Sequence, residues 1–172
     1  LVTALGRYGL PQKMVDLVSG LYSNRRFCVR DGQNLSKERK QESGISQGDP
    51  LSPFLFVMVM TVVIQDAVNI LSKQEQEAFN RGDLATLLYA DDTLLIGSET
   101  DKMQSFLEAI AKVGLRYGLE LHADKFQLIQ AKVDLNLRAP DGRAIATETS
   151  MNYLGCMLYA DGKVTKELSR RL

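Results

Sequence analysis

The stretch LLYADDTLLIG, Leu87 to Gly97, sets two adjacent carboxylates, Asp91 and Asp92, inside a run that otherwise reads as buried β-strand. No Lys or Arg lies within either flank to neutralise them. Two carboxylates about 4 Å apart repel by roughly 4 kcal/mol at an effective dielectric near 20, so solvent, a distant cation, a pKa shift or a metal must offset the cost. Successive side chains of a strand point to opposite faces, so the pair can serve one site only if the strand breaks between them. Ala90 to Thr93 is therefore expected at the tip of a tight hairpin joining two buried strands. Two readings stay open at this point. One is an Asp-rich turn stabilised by its own backbone. The other is a Mg²⁺ site, since hard cations prefer carboxylate oxygens and keep water or phosphate as remaining ligands.

Upstream, GISQGDPLSP carries two glycines and two prolines and reads as a turn feeding a helix from about Ser52 to Leu71. FLFVMVMTVVI, Phe54 to Ile64, is apolar nearly all round, which places that helix deep in a core. Eleven residues are fewer than the about 20 a bilayer span needs, so no membrane partner is expected. Further upstream, Pro11 opens a helix with Met14, Val15, Val18, Leu21 and Tyr22 on one side. RRFCVRDGQNLS turns at Asp31-Gly32, and SKERKQESG follows as a solvated connector. Downstream, Met103, Phe106, Leu107, Ile110, Val113 and Tyr117 repeat at helical spacing up to a stop at Gly118. LELHADKFQLIQ reads as turn and strand, APDGRAI as a hairpin turn and MNYLGCMLYADG as a strand pair. Helices mixed with antiparallel hairpins define an α+β class.

The chain has 172 residues and 45% apolar content, enough for one domain with a core, and no linker or repeat divides it. Its 21 basic residues balance 21 acidic ones, so a nucleic-acid partner must be argued from a site and not from charge. Cys28 and Cys156 have no metal-ligand spacing and are expected as buried free thiols in a reducing compartment. No signal peptide is visible, and the helix-interior character of LVTALGRYGL suggests a chain cut from something longer.

In combination the motifs resemble reverse transcriptases, closest in detail to the non-LTR (LINE-type) retrotransposon branch. YADD, Tyr89 to Asp92, resembles the family's metal-binding hairpin, and GISQGDPLSPFLF its nucleotide-site turn and following helix. GLELHADK, Gly118 to Lys125, resembles the next motif, and YLG, Tyr153 to Gly155, the primer-grip hairpin. The resemblance covers essentially the whole chain, with the motifs in the family's order. It implies a right-hand polymerase palm, an antiparallel sheet backed by helices and truncated at both ends. Along it run a helix and hairpin at 1–43, the nucleotide-site turn and buried helix at 44–71 and the catalytic hairpin at 84–97. A helix and strand at 101–131, the primer-grip hairpin at 151–162 and a thumb lead-in at 163–172 complete the single partial domain.

The implied reaction is attack of a DNA primer 3′-hydroxyl on the α-phosphate of a dNTP, copying an RNA template, with two Mg²⁺ ions about 3.5–4 Å apart, for which Mn²⁺ can substitute. Asp91 and Asp92 would hold the metal. Gln47, Gly48 and Pro50 would line the nucleotide pocket. Tyr89 would pack near the primer terminus; a plain core tyrosine is the structural alternative. Lys125 would protonate pyrophosphate, against the alternative of a lone surface lysine. Tyr153, Leu154 and Gly155 would steady the primer. Arg25, Arg26, Lys37, Arg39 and Lys40 are read as a solvated face, with template phosphate as the functional alternative. Nuclear, intracellular action and a surrounding polyprotein with fingers, thumb and an endonuclease are implied by the family alone. His122 departs from its usual Asn, and the family's first metal-binding aspartate has no counterpart before the nucleotide-site turn. The isolated chain is therefore expected not to polymerise. A group II intron-type enzyme, an RNA-dependent RNA polymerase and a non-catalytic relic are the alternatives.

Overall fold

The computed structural model describes residues 1–171, whose contacts gather into two compact units. The first comprises Leu1–Gln65 with Leu88–Thr93; the second comprises Asp66–Leu87 and the chain from Leu94 on.

In the first unit, α1 (Val2–Tyr8) ends at Gly9, whose φ of 97° is the left-handed conformation that closes a helix. Pro11 then caps α2 (Gln12–Tyr22) from just outside, one position earlier than its expected place as first helical residue. Leu5, Val15, Val18 and Leu55 form a small buried cluster, with Tyr22 and Ile45 packed against it. So small a cluster covers only a narrow stripe of α2, and Met14 and Leu21, expected on the inner face, lie more than half exposed. β1 (Arg26–Phe27) pairs with β4 (Arg39–Lys40), and between them β2 (Arg30–Asp31) pairs with β3 (Asn34–Leu35). The polar segment expected as a connector thus supplies a strand. Its turn sits at Gly32–Gln33, one residue beyond the expected dipeptide.

α3 (Ser52–Asn69) follows the expected bounds closely but is not deep throughout: Phe54 is 66% exposed and Val57 51%. By length and mean hydropathy it also meets the measure of a bilayer span, and 56% of it is buried inside the protein. The expectation drawn from an eleven-residue run understated its apolar length.

In the second unit, α4 (Lys73–Arg81) is held by a capping box. The Glu75 N–H donates to Ser72 Oγ, and the Ser72 N–H donates to Glu75 Oε2. β5 (Leu84–Tyr89) and β6 (Asp92–Gly97), whose tip, Leu88–Thr93, is counted with the first unit, pair across a two-residue connection, which only antiparallel strands permit. α5 (Thr100–Arg116) buries Met103, Phe106, Leu107, Ile110 and Val113, the face its sequence period announces. Phe106 meets Phe79 edge to face at 5.6 Å. Tyr117 closes the helix and donates its hydroxyl to buried Asp66 at 2.7 Å.

β7 (Leu128–Ile129) runs parallel to β8 (Thr147–Glu148), and β9 (Ser150–Tyr153) pairs antiparallel with β10 (Cys156–Tyr159). α6 (Thr165–Arg171) closes the described chain. The α+β class is borne out. Among the described residues, however, the strands pair two by two in five ladders, one of them parallel, where a single antiparallel sheet was expected. Both cysteines are free, and Cys28 is exposed where a buried thiol was expected.

Candidate active site

The strand breaks between the two carboxylates. Ala90 and Asp91 form the hairpin turn and Asp92 opens β6, so the alternation that would send the pair to opposite faces does not apply. Ala90 has φ of 50°, while Asp91 is not among the residues of positive φ. Positive φ at the first central position alone is the signature of a type II′ turn. Asp91 and Asp92 are both exposed, and neither makes an ion pair or side-chain hydrogen bond among the described residues. Water therefore screens the repulsion raised by their adjacency. The flanking strands are half-buried rather than buried: Leu87, Tyr89 and Ile96 are largely open. At 63% exposure, Tyr89 is not a core tyrosine.

The Gln47–Gly48 turn lies in the same unit as this tip. Gly48 has φ of 87° at the third position of the turn Ser46–Asp49, as a type II turn requires, and the Asp49 N–H faces the Ser46 carbonyl at 3.5 Å. Gln47, Gly48 and Pro50 are exposed. Asp49, which sequence reasoning passed over, is not. Its Oδ2 accepts from Arg25 Nη2 at 2.7 Å and its Oδ1 from the Leu51 N–H at 3.0 Å, at the entry to α3. The Arg25 bond, reinforced by that N–H, holds the Asp49 carboxyl below the usual carboxylate range. Arg25, expected on a solvated face, is thus held within the protein instead. Arg26 pairs with Glu38 at 2.9 Å, while Lys37, Arg39 and Lys40 are exposed.

The remaining candidates lie in the second unit. Lys125 ends a 3₁₀ turn, Ala123–Lys125, and is exposed with no ion pair among the described residues. Its neighbour Asp124 is bound by Arg143 at 2.8 Å, and Arg143 in turn by Asp141 at 2.6 Å. His122 precedes that turn, exposed.

Leu154 and Gly155 join β9 to β10 with φ of 52° and 77°, the two positive values of a type I′ hairpin. Tyr153 is half-buried beside them. The Gly155 carbonyl accepts from Arg170 Nη2 at 3.0 Å and from Arg171 Nη2 at 3.1 Å. Glu167 binds both arginines and accepts from the Met157 N–H at 3.1 Å. The two arginines, then that N–H, pull its carboxyl down to about 2. α6, expected only as a lead-in, is therefore fastened to the YLG hairpin.

As a test of fit for a hard divalent cation, the tip offers oxygen donors of the right kind that no cation among the described residues competes for. Among the described residues no cluster of three or more Asp, Glu, His or Cys is present.

A two-carboxylate hairpin, a glycine turn leading into an apolar helix and a second tight hairpin stand at the motifs on which the resemblance to reverse transcriptases rests. The chain belongs to the reverse transcriptase (RNA-dependent DNA polymerase) family, whose model matches residues 2–158. Its relatives are Pol polyproteins of R2 retrotransposable elements, which bears out the LINE-type resemblance. The Drosophila melanogaster R2DM protein is 29% identical over 70% of this chain and 11% of its own length. A Nasonia vitripennis R2 protein is 28% identical over 70% of the chain and 11% of its length. One from Popillia japonica is 30% identical over 71% and 17%. The chain thus spans about a tenth of the first two relatives. No solved structure matches it.

Proposed function

We propose that this chain is the palm portion of an RNA-directed DNA polymerase that adds dNTPs to a DNA primer on an RNA template. The observation that carries this reading is the pair Asp91 and Asp92, exposed on a broken strand and unclaimed by any cation among the described residues. Asp91 and Asp92 would hold Mg²⁺, or Mn²⁺ in its place. The bound metal would neutralise charge on the attacking and leaving oxygens. Gly48 allows backbone to approach the nucleotide closely, Gln47 offers it both a donor and an acceptor, and Pro50 borders the same turn. Tyr89, open on the hairpin, packs on the primer terminus. Lys125, exposed and unpaired, delivers a proton to the leaving pyrophosphate. Tyr153, Leu154 and Gly155 steady the primer, on a turn held by α6.

Two carboxylates leave a metal site incomplete, so further ligands come from elsewhere in the polyprotein. Primer extension by the full-length polyprotein tests the reading. Asp91→Asn is expected to lower it by more than the about 10–100-fold that loss of an outer partner costs a metal site, with unchanged circular dichroism. Extension at the parental rate would overturn the assignment. A preference for ribonucleotides over deoxynucleotides would favour an RNA-dependent RNA polymerase instead.

A further inference from the structure

One guanidinium holds both ends of the turn that carries Gln47 and Gly48. Ser46 and Asp49 are the first and fourth residues of that turn. Arg25 bonds each, Nη1 to Ser46 Oγ at 2.6 Å and Nη2 to Asp49 Oδ2 at 2.7 Å. Its third nitrogen, Nε, donates to the Leu21 carbonyl at 3.0 Å, and the guanidinium carbon, Cζ, lies 4.1 Å from the centre of the Tyr22 ring. The guanidinium is thus anchored on the end of α2 and reaches the turn already oriented. Around it, Ser46 Oγ donates to Gln41 Oε1 at 3.0 Å, and Ser52 Oγ donates to the Ser46 carbonyl at 2.5 Å and meets the Tyr22 hydroxyl at 3.2 Å. Among the described residues these bonds land on 46 and 49, and none lands on 47 or 48.

We propose that Arg25 is a positioning residue for nucleotide selection: its fork to Ser46 and Asp49 fixes the turn that presents Gln47 and Gly48 to the incoming nucleotide. The inference rests on the reading of that turn as the nucleotide site. It replaces the template-phosphate role considered for Arg25, because three of the guanidinium's nitrogens are committed within the protein. Lysine keeps the charge but cannot present a planar fork to two acceptors while stacking on a ring. Arg25→Lys therefore separates the geometry from the charge.

The test compares Arg25→Lys, Asp49→Asn, Gln47→Ala and the Arg25→Lys/Gln47→Ala pair in the full-length polyprotein. The readouts are KM and kcat for dNTP, primer–template affinity, and amide exchange across residues 46–51. Arg25→Lys and Asp49→Asn are each expected to raise KM about tenfold, the scale of one lost charge-assisted bond, leaving kcat and primer–template affinity little changed. Exchange over 46–51 should quicken by a similar factor while that of α1 stays constant. With Gln47 already removed, Arg25→Lys should add little, because the side chain it orients is gone.

Unchanged exchange in both single variants would overturn the proposal. So would a KM rise as large without Gln47 as with it, or a joint fall in kcat and primer affinity. A Gln47→Ala variant with parental KM would sink the nucleotide-site reading itself, a distinct failure because it occurs with the brace intact. If the polyprotein extends no primer, the exchange comparison decides alone.

Discussion

Leu154 stands at φ of 52° in a type I′ turn, a conformation that costs an ordinary L-residue about 1–2 kcal/mol. Asn tolerates it and is favoured before Gly in such turns, so Leu154→Asn should stabilise the chain by about 1 kcal/mol. The measurement is a thermal melt, with a rise of about 2–4 °C expected for a chain of this size. Leu154 is 46% exposed, so the apolar area it still buries offsets part of the strain that Asn would relieve. A lower melting temperature would show that the leucine side chain matters more than its backbone. The adjacency of Asp91 and Asp92 was legible at this scale from the sequence, as was the break between them. Arg25 was not: its meaning depends on residues 21, 22, 46 and 49 meeting, and no local pattern encodes that encounter.

Among the elements, those with a strong apolar period were readable. α5 and the β9–β10 pair lie where their sequences place them, and the centre of α3 does too. Polar elements were not. α4 has no apolar stripe of note, although Ser72, Glu75 and Gly82 mark its two ends. β4 consists of Arg39 and Lys40, and nothing in two basic residues announces a strand. Removing the cap by Ser72→Ala should cost about 1 kcal/mol, read as a shifted urea midpoint with an unchanged slope.

α6 makes a pH-dependent prediction. The folded pKa of Glu167 lies near 2, below its ordinary 4.5. The stabilisation from its two arginines is therefore complete above about 4.5 and is lost as pH falls toward 2. Exchange of the Met157 amide, taken relative to that of an unstructured amide at the same pH, should accelerate over that window in the parent. In Glu167→Gln it should be fast already at neutral pH. A Met157 amide that stays protected at pH 2 would refute the fastening.

For the whole molecule, the five separate ladders among the described residues show why the family was legible in the sequence but the strand pairing was not. Strand existence follows from local alternation, whereas which strands sit side by side depends on contacts distant in sequence. The parallel match of Leu128 with Thr147 is of that kind. The isolated 172-residue chain should extend no primer, because two carboxylates do not complete a metal site; template-dependent extension by it would contradict that. Asp91→Asn in the same chain should not lower the melting temperature, since it removes repulsion and breaks no bond.

Among the described residues, Gln47, Gly48, Asp91 and Asp92, the positions proposed to meet substrate, contribute no side-chain bond to the fold, while Ser46, Asp49 and Arg25 do. Mutational drift thus strikes the two sets unequally. A drifting copy of the chain can lose the carboxylate at Asp91 and keep every side-chain bond that holds the fold. Abundance of the folded product would then say nothing about whether that carboxylate survives.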